Sequence, residues 1–300
     1  MNARLAASAP EPELVLEYEL FDMPTAQHKA GLAGLILHLK NLEKREVTPR
    51  PRIESVAPQS ARFRFTQRDF QTLFDDLYDG YWTEARVRQK YQNKDPKRIE
   101  EVKSVEGKKT EKWFIYDEFR PRGSVLGFYL QEATNSPWLK LWQDMLWSVL
   151  RAQPTTRGEY QRRADGDSVS FADELWGKLV KSQTQKNRLV TTSIAGSLFV
   201  GAQDQNAEQV PFQGRIEHNL LLHFWTWVTP IFVPQVVNLK DKQREYQGYL
   251  LAIPEVADLE EFIEAVTEFW QSLSPDISGY RPRGALIDLP EEGGLEFLYS

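Results

Sequence analysis

Cysteine is absent from all 300 residues. That excludes disulfides, thiolate metal sites, iron–sulfur clusters and cysteine nucleophiles together, and it fits a cytoplasmic, prokaryotic setting. Histidine occurs only four times, as His28, His38, His218 and His223, and none stands in an HExxH or HxxEH arrangement. His218 and His223 are five apart, off the one-face spacing of a helix, so they read as satisfied or surface histidines rather than a metal pair. No GxxxxGK[ST] loop is present, and AGLAG is not a dinucleotide fingerprint because no GxGxxG follows a strand. The serine in AGSLFVG lacks the GxSxG elbow. Long apolar runs are missing too. Nothing approaches 18 consecutive apolar residues, so no membrane-spanning helix is predicted, and MNARLAASAPEPELV lacks the apolar stretch of a secretory signal. Carboxylates are plentiful, but no pair stands out as an acid/base couple, and a pair assembled only by folding is invisible at this level. The catalytic inventory is thin. No cofactor or metal is indicated, and the chain reads as a binding protein rather than an enzyme.

What is there is a globular composition: 41% apolar, 12% aromatic and 27% charged, with a net charge of −6. That average is not a basic nucleic-acid binder's, but it hides an asymmetry. Residues 178–188 carry Lys178, Lys181, Lys186 and Arg188 and no acid. Residues 151–163 carry Arg151, Arg157, Arg162 and Arg163 against Glu159, and residues 86–122 carry 12 basic and 7 acidic side chains. Residues 254–300 carry 11 acids against Arg281 and Arg283. A basic middle and an acidic end can present a local cationic surface on a soluble chain; ordinary solvated faces are the alternative.

Along the chain, residues 1–13 read as a flexible tail and 14–300 as a single body. Leu14, Leu16, Tyr18 and Leu20 alternate with polar or outward residues, the period of a half-buried strand. Leu32, Leu35, Ile36, Leu39 and Leu42 follow helical spacing, predicting a helix over 26–45 with Thr25 as N-cap. A second helix is predicted from Thr66 to Tyr81, with Thr66 and Asp69 forming a capping-box start. Residues 83–111 are hydrophilic without clear period and read as a charged, partly mobile insertion. Strands are predicted at Trp113–Tyr116 and Val125–Leu130, a helix over Ser136–Leu150, a polar loop over 153–168, and a helix starting near Ser170. Ile231–Val237, interrupted by Pro234, reads as an edge strand, and Tyr249–Ile253 as a strand. Asp258–Leu273 is the cleanest helix, and strands at Ala285–Leu289 and Leu295–Tyr299 close the chain. The expected class is α+β, a mixed sheet with packed helices.

Three stretches carry most of the functional information. In FDMPTAQHKAGLAGLILHL the leucines share one helix face, while Ala30, Gly31, Ala33 and Gly34 group on the other. Glycine in a helix costs about 1 kcal/mol relative to alanine, so a small-residue face implies close approach of some backbone, polypeptide or phosphodiester. Gln27, His28 and Lys29 lie in that helix's first turn, where free amides and the dipole favour an anion; tight core packing is the alternative. If the helix from Ser170 continues to 188, Lys178, Lys181, Gln185 and Arg188 share a face. Lys and Arg suit phosphates, and Gln183, Gln185 and Asn187 suit base edges. The third stretch is an echo: EFRPRGSVLGF and GYRPRGALIDL each place aromatic-Arg-Pro-Arg-Gly before a predicted strand, setting Arg120, Arg122, Arg281 and Arg283 beside rigid prolines.

The run LEYELFDMPTAQHKAGLAGLILHL resembles the opening of the large subunit of type I CRISPR surveillance complexes (Cascade), of the Myxococcus-type branch, and SGYRPRGALIDLPEEGGLEFLY is similar to the same family. The resemblance implies an irregular large-subunit fold and a non-catalytic role. Such a subunit reads the PAM in duplex DNA, aids R-loop opening, and serves as a platform for a nuclease-helicase or for transposition factors, while guide pairing carries the sequence information. The implied partners are guide RNA, target double-stranded DNA and other Cascade subunits, with no membrane. Large subunits of this family are usually longer and often end in a helical bundle, so that bundle is expected to be cut away or supplied by a separate small subunit. Carried onto this chain, Gln27, His28 and Lys29 are expected to contact nucleic-acid backbone or an adjacent subunit. Lys178, Lys181, Lys186 and Arg188 are expected to hold phosphates near the PAM, with Gln183, Gln185 and Asn187 as base readers and Arg120, Arg122, Arg281 and Arg283 as phosphate clamps. Two rival functions stay open: a structural adaptor that binds protein only, and a metal-dependent hydrolase whose carboxylates converge in the fold.

Overall fold

A computed structural model describes residues 12–103, 110–130, 137–151, 154–184, 190–200, 212–232, 235–237, 244–246 and 248–273. In chain order the strands are β1 (Leu14–Glu19), β2 (Arg52–Ala57), β3 (Ser60–Phe65), β4 (Gly80–Val87), β5 (Arg98–Lys103), β6 (Thr110–Pro121), β7 (Thr191–Ser193), β8 (Gln213–Arg215), β9 (Ile231–Phe232), β10 (Gln235–Val237), β11 (Arg244–Tyr246) and β12 (Leu250–Leu251). The helices are α1 (Ala26–Lys44), α2 (Gln67–Leu77), α3 (Ser124–Tyr129), α4 (Pro137–Met145), α5 (Pro154–Ala164), α6 (Ala172–Thr184), α7 (Ile216–Leu221) and α8 (Leu259–Ser272), with a π-helical continuation of α4 over Leu146–Leu150. The class is α+β, built from small antiparallel sheets around packed helices.

The first sheet has the order β1-β3-β2. Its register sets Leu14 opposite Phe65, Leu16 opposite Phe63 and Tyr18 opposite Ala61, and all six side chains are buried. Alternation does the rest. Glu17, Arg62 and Arg64 turn outward, where Glu54 accepts from Arg62 at 2.7 Å and from Arg64 at 2.5 Å. Against the inner face lies α1, in which 14 residues from Gln27 to Leu42 are buried, so it is enclosed on all sides rather than amphipathic. Its leucines enter the main core. Its glycine face meets α7 and the segment after it: a Cβ on Gly31 would lie 2.7 Å from the Leu221 carbonyl carbon, and one on Gly34 would lie 2.8 Å from that of Phe224. The close approach implied by these glycines is therefore to polypeptide. α2 begins with the full capping box of Thr66 and Asp69 and ends at Leu77 rather than Tyr81, because Gly80 already opens β4. α8 is capped by Asp258, whose side chain accepts from the Glu261 amide at 3.0 Å, and it is tied to the first sheet through the Leu259 amide and the Pro58 carbonyl at 2.8 Å.

Several expectations are corrected here. The described residues within 83–111 do carry a period: β4, β5 and β6 pair as a three-stranded antiparallel sheet of order β4-β6-β5. Val125–Leu130 is helical, since Gly123 at φ +66° turns the chain directly into α3. Residues 153–168 hold α5, whose Tyr160 is buried against Tyr78 at 4.9 Å between ring centroids. The expected strand at Tyr249–Ile253 shortens to Leu250–Leu251, paired with β9. The expected strands at 285–289 and 295–299 and most of the expected N-terminal tail lie outside the described residues.

Candidate nucleic-acid interface

The first turn of α1 does not present its side chains outward. Gln27 and His28 are 5% and 3% exposed. The Gln27 amide, oriented to pair, donates to the Val200 carbonyl at 3.2 Å and accepts from the Val200 amide at 3.1 Å. His28 Nδ1 lies 2.8 Å from the Thr25 hydroxyl, and its ring sits 6.0 Å from that of Phe199 and 6.2 Å from that of His218. Burial, with His218 alongside, lowers the His28 pKa to about 4, so it is neutral near pH 7. These two residues hold the 195–200 segment onto α1, and their polar groups are engaged within the chain rather than turned to its surface. Lys29, the third of the group, is ion-paired with Glu255 just before α8.

The Arg-Pro-Arg motif at the end of β6 is likewise satisfied inside the chain. Arg120 donates to Asp144 at 3.1 Å and to Glu118 at 3.3 Å. Arg122 donates to Asp79 at 2.7 Å and lies over the Tyr81 ring at 5.1 Å. Three of the four arginines of 151–163 are also turned inward, while Arg162 is exposed. Arg151 is 1% exposed between the rings of Tyr78 and Tyr160, Arg157 lies 4.6 Å from the Trp147 centroid, and Arg163 donates to the Asp75 carbonyl at 3.0 Å. Net charge along the sequence overstated this region, because guanidiniums pack well on aromatic faces and cap carbonyls.

The C-terminal half of α6 is different. Trp176 and Leu179 anchor it in the core, which turns Lys178, Lys181 and Gln183 to the surface. Lys178 is bridged to Glu174 one turn earlier. Lys181 is exposed, with no ion pair among the described residues. Gln183 donates to the Val15 carbonyl at 3.0 Å, pinning the helix end to the open edge of β1. Gln185, Lys186, Asn187 and Arg188, which follow directly, lie outside the described residues, as do Arg281 and Arg283.

Among the described residues no catalytic constellation replaces these groups. His38 Nε2 lies 2.7 Å from Asp76, but His38 is fully buried, and the same carboxylate also accepts from Arg45 at 2.7 Å and Ser124 at 3.2 Å. That network clamps α1, α2 and α3 together without access for a substrate. His223, paired with the Tyr78 hydroxyl at 2.8 Å, has its pKa lowered to about 3 by burial and by Arg151 nearby. Among the described residues no group of three or more His, Cys, Asp or Glu could hold a metal ion, and no helix is long and apolar enough to cross a membrane. Sequence reasoning missed one cationic cluster, Arg86 on β4 and Arg88 just past its end, beside Trp113 on β6. Its signal was present, since Trp82, Glu84, Arg86 and Arg88 recur at every second position, the period of a strand with one charged face.

What the arrangement defines is an α+β scaffold with cations at its margins and without a convergent acid, base or nucleophile among its described residues. The family model described as the type I-B CRISPR Cas8b N-terminal domain matches residues 51–300. The chain therefore belongs to that family and is a large subunit of a type I-B CRISPR effector, the Cascade complex. No curated protein matches it. The matched span includes the closing SGYRPRGALIDLPEEGGLEFLY run, while LEYELFDMPTAQHKAGLAGLILHL precedes it.

Proposed function

We propose that this chain reads the PAM in duplex DNA for its effector complex and helps the strands part so that guide RNA can pair. It does so without making or breaking covalent bonds, in the cytoplasm, and it offers a platform for a nuclease-helicase or transposition factor. The observation that carries this reading, beside family membership, is the surface end of α6. There Lys181, exposed and without an ion pair among the described residues, and the β1-anchored Gln183 lead into Gln185, Lys186, Asn187 and Arg188. Phosphate contacts fix position and base-edge contacts give discrimination, and this tract supplies both residue types in ten positions or fewer. The acidic total charge is no obstacle where neighbouring subunits share the cationic channel. Lys29, Arg120 and Arg122 serve only secondarily, because each must first leave Glu255, Asp144 or Asp79.

The test is DNA binding by the assembled complex across a salt series. Lys181→Glu combined with Lys186→Glu and Arg188→Glu weakens binding to all duplexes alike and shallows the salt dependence by about 0.9 per lost phosphate contact. Gln185→Ala or Asn187→Ala leaves the salt dependence unchanged and relaxes preference at one base pair, by about 1–3 kcal/mol for a bidentate contact. Unchanged DNA affinity in the triple variant would favour the adaptor reading. A metal-dependent turnover abolished by one carboxylate substitution would favour the hydrolase.

A further inference from the structure

The sheet β4-β6-β5 leaves the body as it runs. Gly80 and Pro121 at its root are buried, whereas no residue from Thr83 to Val87, from Arg98 to Val102 or from Thr110 to Phe114 is. On one face of this projecting half, Trp113 pairs across to Glu100 and shares its side with Ile115, whose partners are Arg86 and Arg98. The guanidinium carbons of Arg86 and Arg88 lie 4.5 and 5.0 Å from the Trp113 ring centroid. Their carboxylate contacts are loose: Arg86 Nε is 3.5 Å from Glu100, and Arg88 Nη2 is 3.3 Å from Glu111. Arg98 beside them behaves oppositely, gripping Glu84 through two bonds of 2.7 and 2.6 Å. Arg86 and Arg88 keep 47% and 67% of their side chains exposed.

Stacking on an indole engages a guanidinium's face and leaves its in-plane N–H donors outward, the edge that pairs bidentately with phosphate oxygens. Two such edges, on Arg86 in β4 and on Arg88 just past its end, belong to one exposed cluster around a single indole. One carboxylate or one free phosphate fills only half of that arrangement; a repeating phosphodiester chain fills both. Trp113, partly exposed beside them, adds an aromatic contact for a base, and only an unpaired base has a free face to use it. We propose that the Arg86–Trp113–Arg88 platform binds an unpaired nucleic-acid strand. This rests on the nucleic-acid reading above and adds a second contact surface, separate from the end of α6. DNA and RNA strands share the chemistry, and the probes distinguish them.

The experiment measures binding of fluorescein-labelled 20-nucleotide single-stranded DNA, the same sequence as RNA, and the duplex, to the full chain over a salt series. Arg86→Gln with Arg88→Gln weakens single-strand binding several-fold and shallows its salt dependence by about 1.4, for two lost contacts at about 0.7 each. Trp113→Leu weakens binding with the salt dependence unchanged. Glu111→Gln strengthens it by removing the competing carboxylate from Arg88, a gain that a merely structural role does not produce. Arg86, Arg88 and Glu111 are exposed and Trp113 is partly buried, and the far-UV circular dichroism and unfolding midpoint of each variant verify the fold. The strand whose affinity falls further is the natural ligand. Equal single-strand binding by wild type and the double variant, an effect confined to duplex, or preferential capture of a poly-glutamate peptide would overturn the proposal. If Lys181→Glu still weakens duplex binding in that event, only this platform fails. If neither variant alters any binding, the nucleic-acid reading fails with it.

Discussion

Gly31 and Gly34 give the sharpest handle on the architecture. Replacing a mid-helix glycine by alanine ordinarily stabilises a helix by about 1 kcal/mol. In α1 the sign should reverse. A Cβ at position 31 would lie 2.7 Å from the Leu221 carbonyl carbon and nearer still to its oxygen, and one at 34 would meet Phe224 in the same way. Backbone atoms cannot swing aside as a side-chain tip can, so α1 and the Leu221–Phe224 segment must separate by a substantial fraction of an ångström. Leu221 and Phe224 are fully buried, and Trp225 and Trp227 follow at once in the core, so that separation loosens contacts well beyond the glycines. Overpacking of this kind costs about 1–3 kcal/mol, and rigid backbone puts the effect at the upper end, leaving a net destabilisation of about 2 kcal/mol for each variant. Urea denaturation of the chain reads it. With a denaturant slope of about 3 kcal/mol/M, the midpoint falls by about 0.7 M at unchanged slope. The two substitutions act on one helix contact, so the double variant is not additive. A midpoint at or above wild type for Gly34→Ala would refute the reasoning: it would mean that the glycine face is open in the free chain and waits for another molecule.

Two further predictions concern acid. Burial pushes the Asp76 carboxyl up, but hydrogen bonds and charge from His38 and Arg45 more than offset it and hold the pKa at about 2 rather than 3.8. A lowered folded-state value gives stability that is complete above the unfolded pKa and disappears as pH falls toward 2, here about 2 kcal/mol. Asp76→Asn should therefore be less stable than wild type by at least about 2 kcal/mol at pH 7 and nearly equal to it at pH 2, by urea titration; an equal gap at both pH values contradicts the network. His223 and His28 stay neutral in the fold down to about pH 3 and 4. The unfolded chain protonates them below about 6.5, so each removes about 2 kcal/mol of stability between pH 7 and 5. His223→Gln should flatten that decline by about this amount, and an unchanged slope would show that His223 takes up its proton in the folded state.

Elements with a strong internal period were legible from the chain alone. β1 announced itself through Leu14, Leu16 and Tyr18, α2 through its capping box, and α8 through Asp258 and the Leu259–Ile263–Val266–Trp270 stripe. α3 was misread because Val125, Leu126, Phe128, Tyr129 and Leu130 form a short apolar run that suits strand and helix equally; the left-handed Gly123 and the contacts of α3 with α1 and α8 decide it. α5 has no apolar stripe, and its place depends on Tyr160 and on Arg157 against Trp147, which are tertiary contacts. At the site, composition located positive charge but not its partners. Asp144, Glu118, Asp79 and Glu255 claim cations that looked available, Glu255 from more than 200 residues away. The glycine face spoke plainly of close approach, yet whether protein or nucleic acid approached was settled by Leu221 and Phe224, nearly 200 positions downstream.

The central claim is that this chain handles nucleic acid as one member of an assembly. Co-expression with the remaining type I-B effector components and a guide, followed by affinity capture through this chain and light scattering with absorbance at 260 and 280 nm, addresses it directly. The account predicts a multi-subunit ribonucleoprotein particle that retains guide RNA and binds PAM-bearing duplex. Elution of the chain at its own 34.8 kDa, beside a complete particle that binds such duplex equally well without it, would contradict the account.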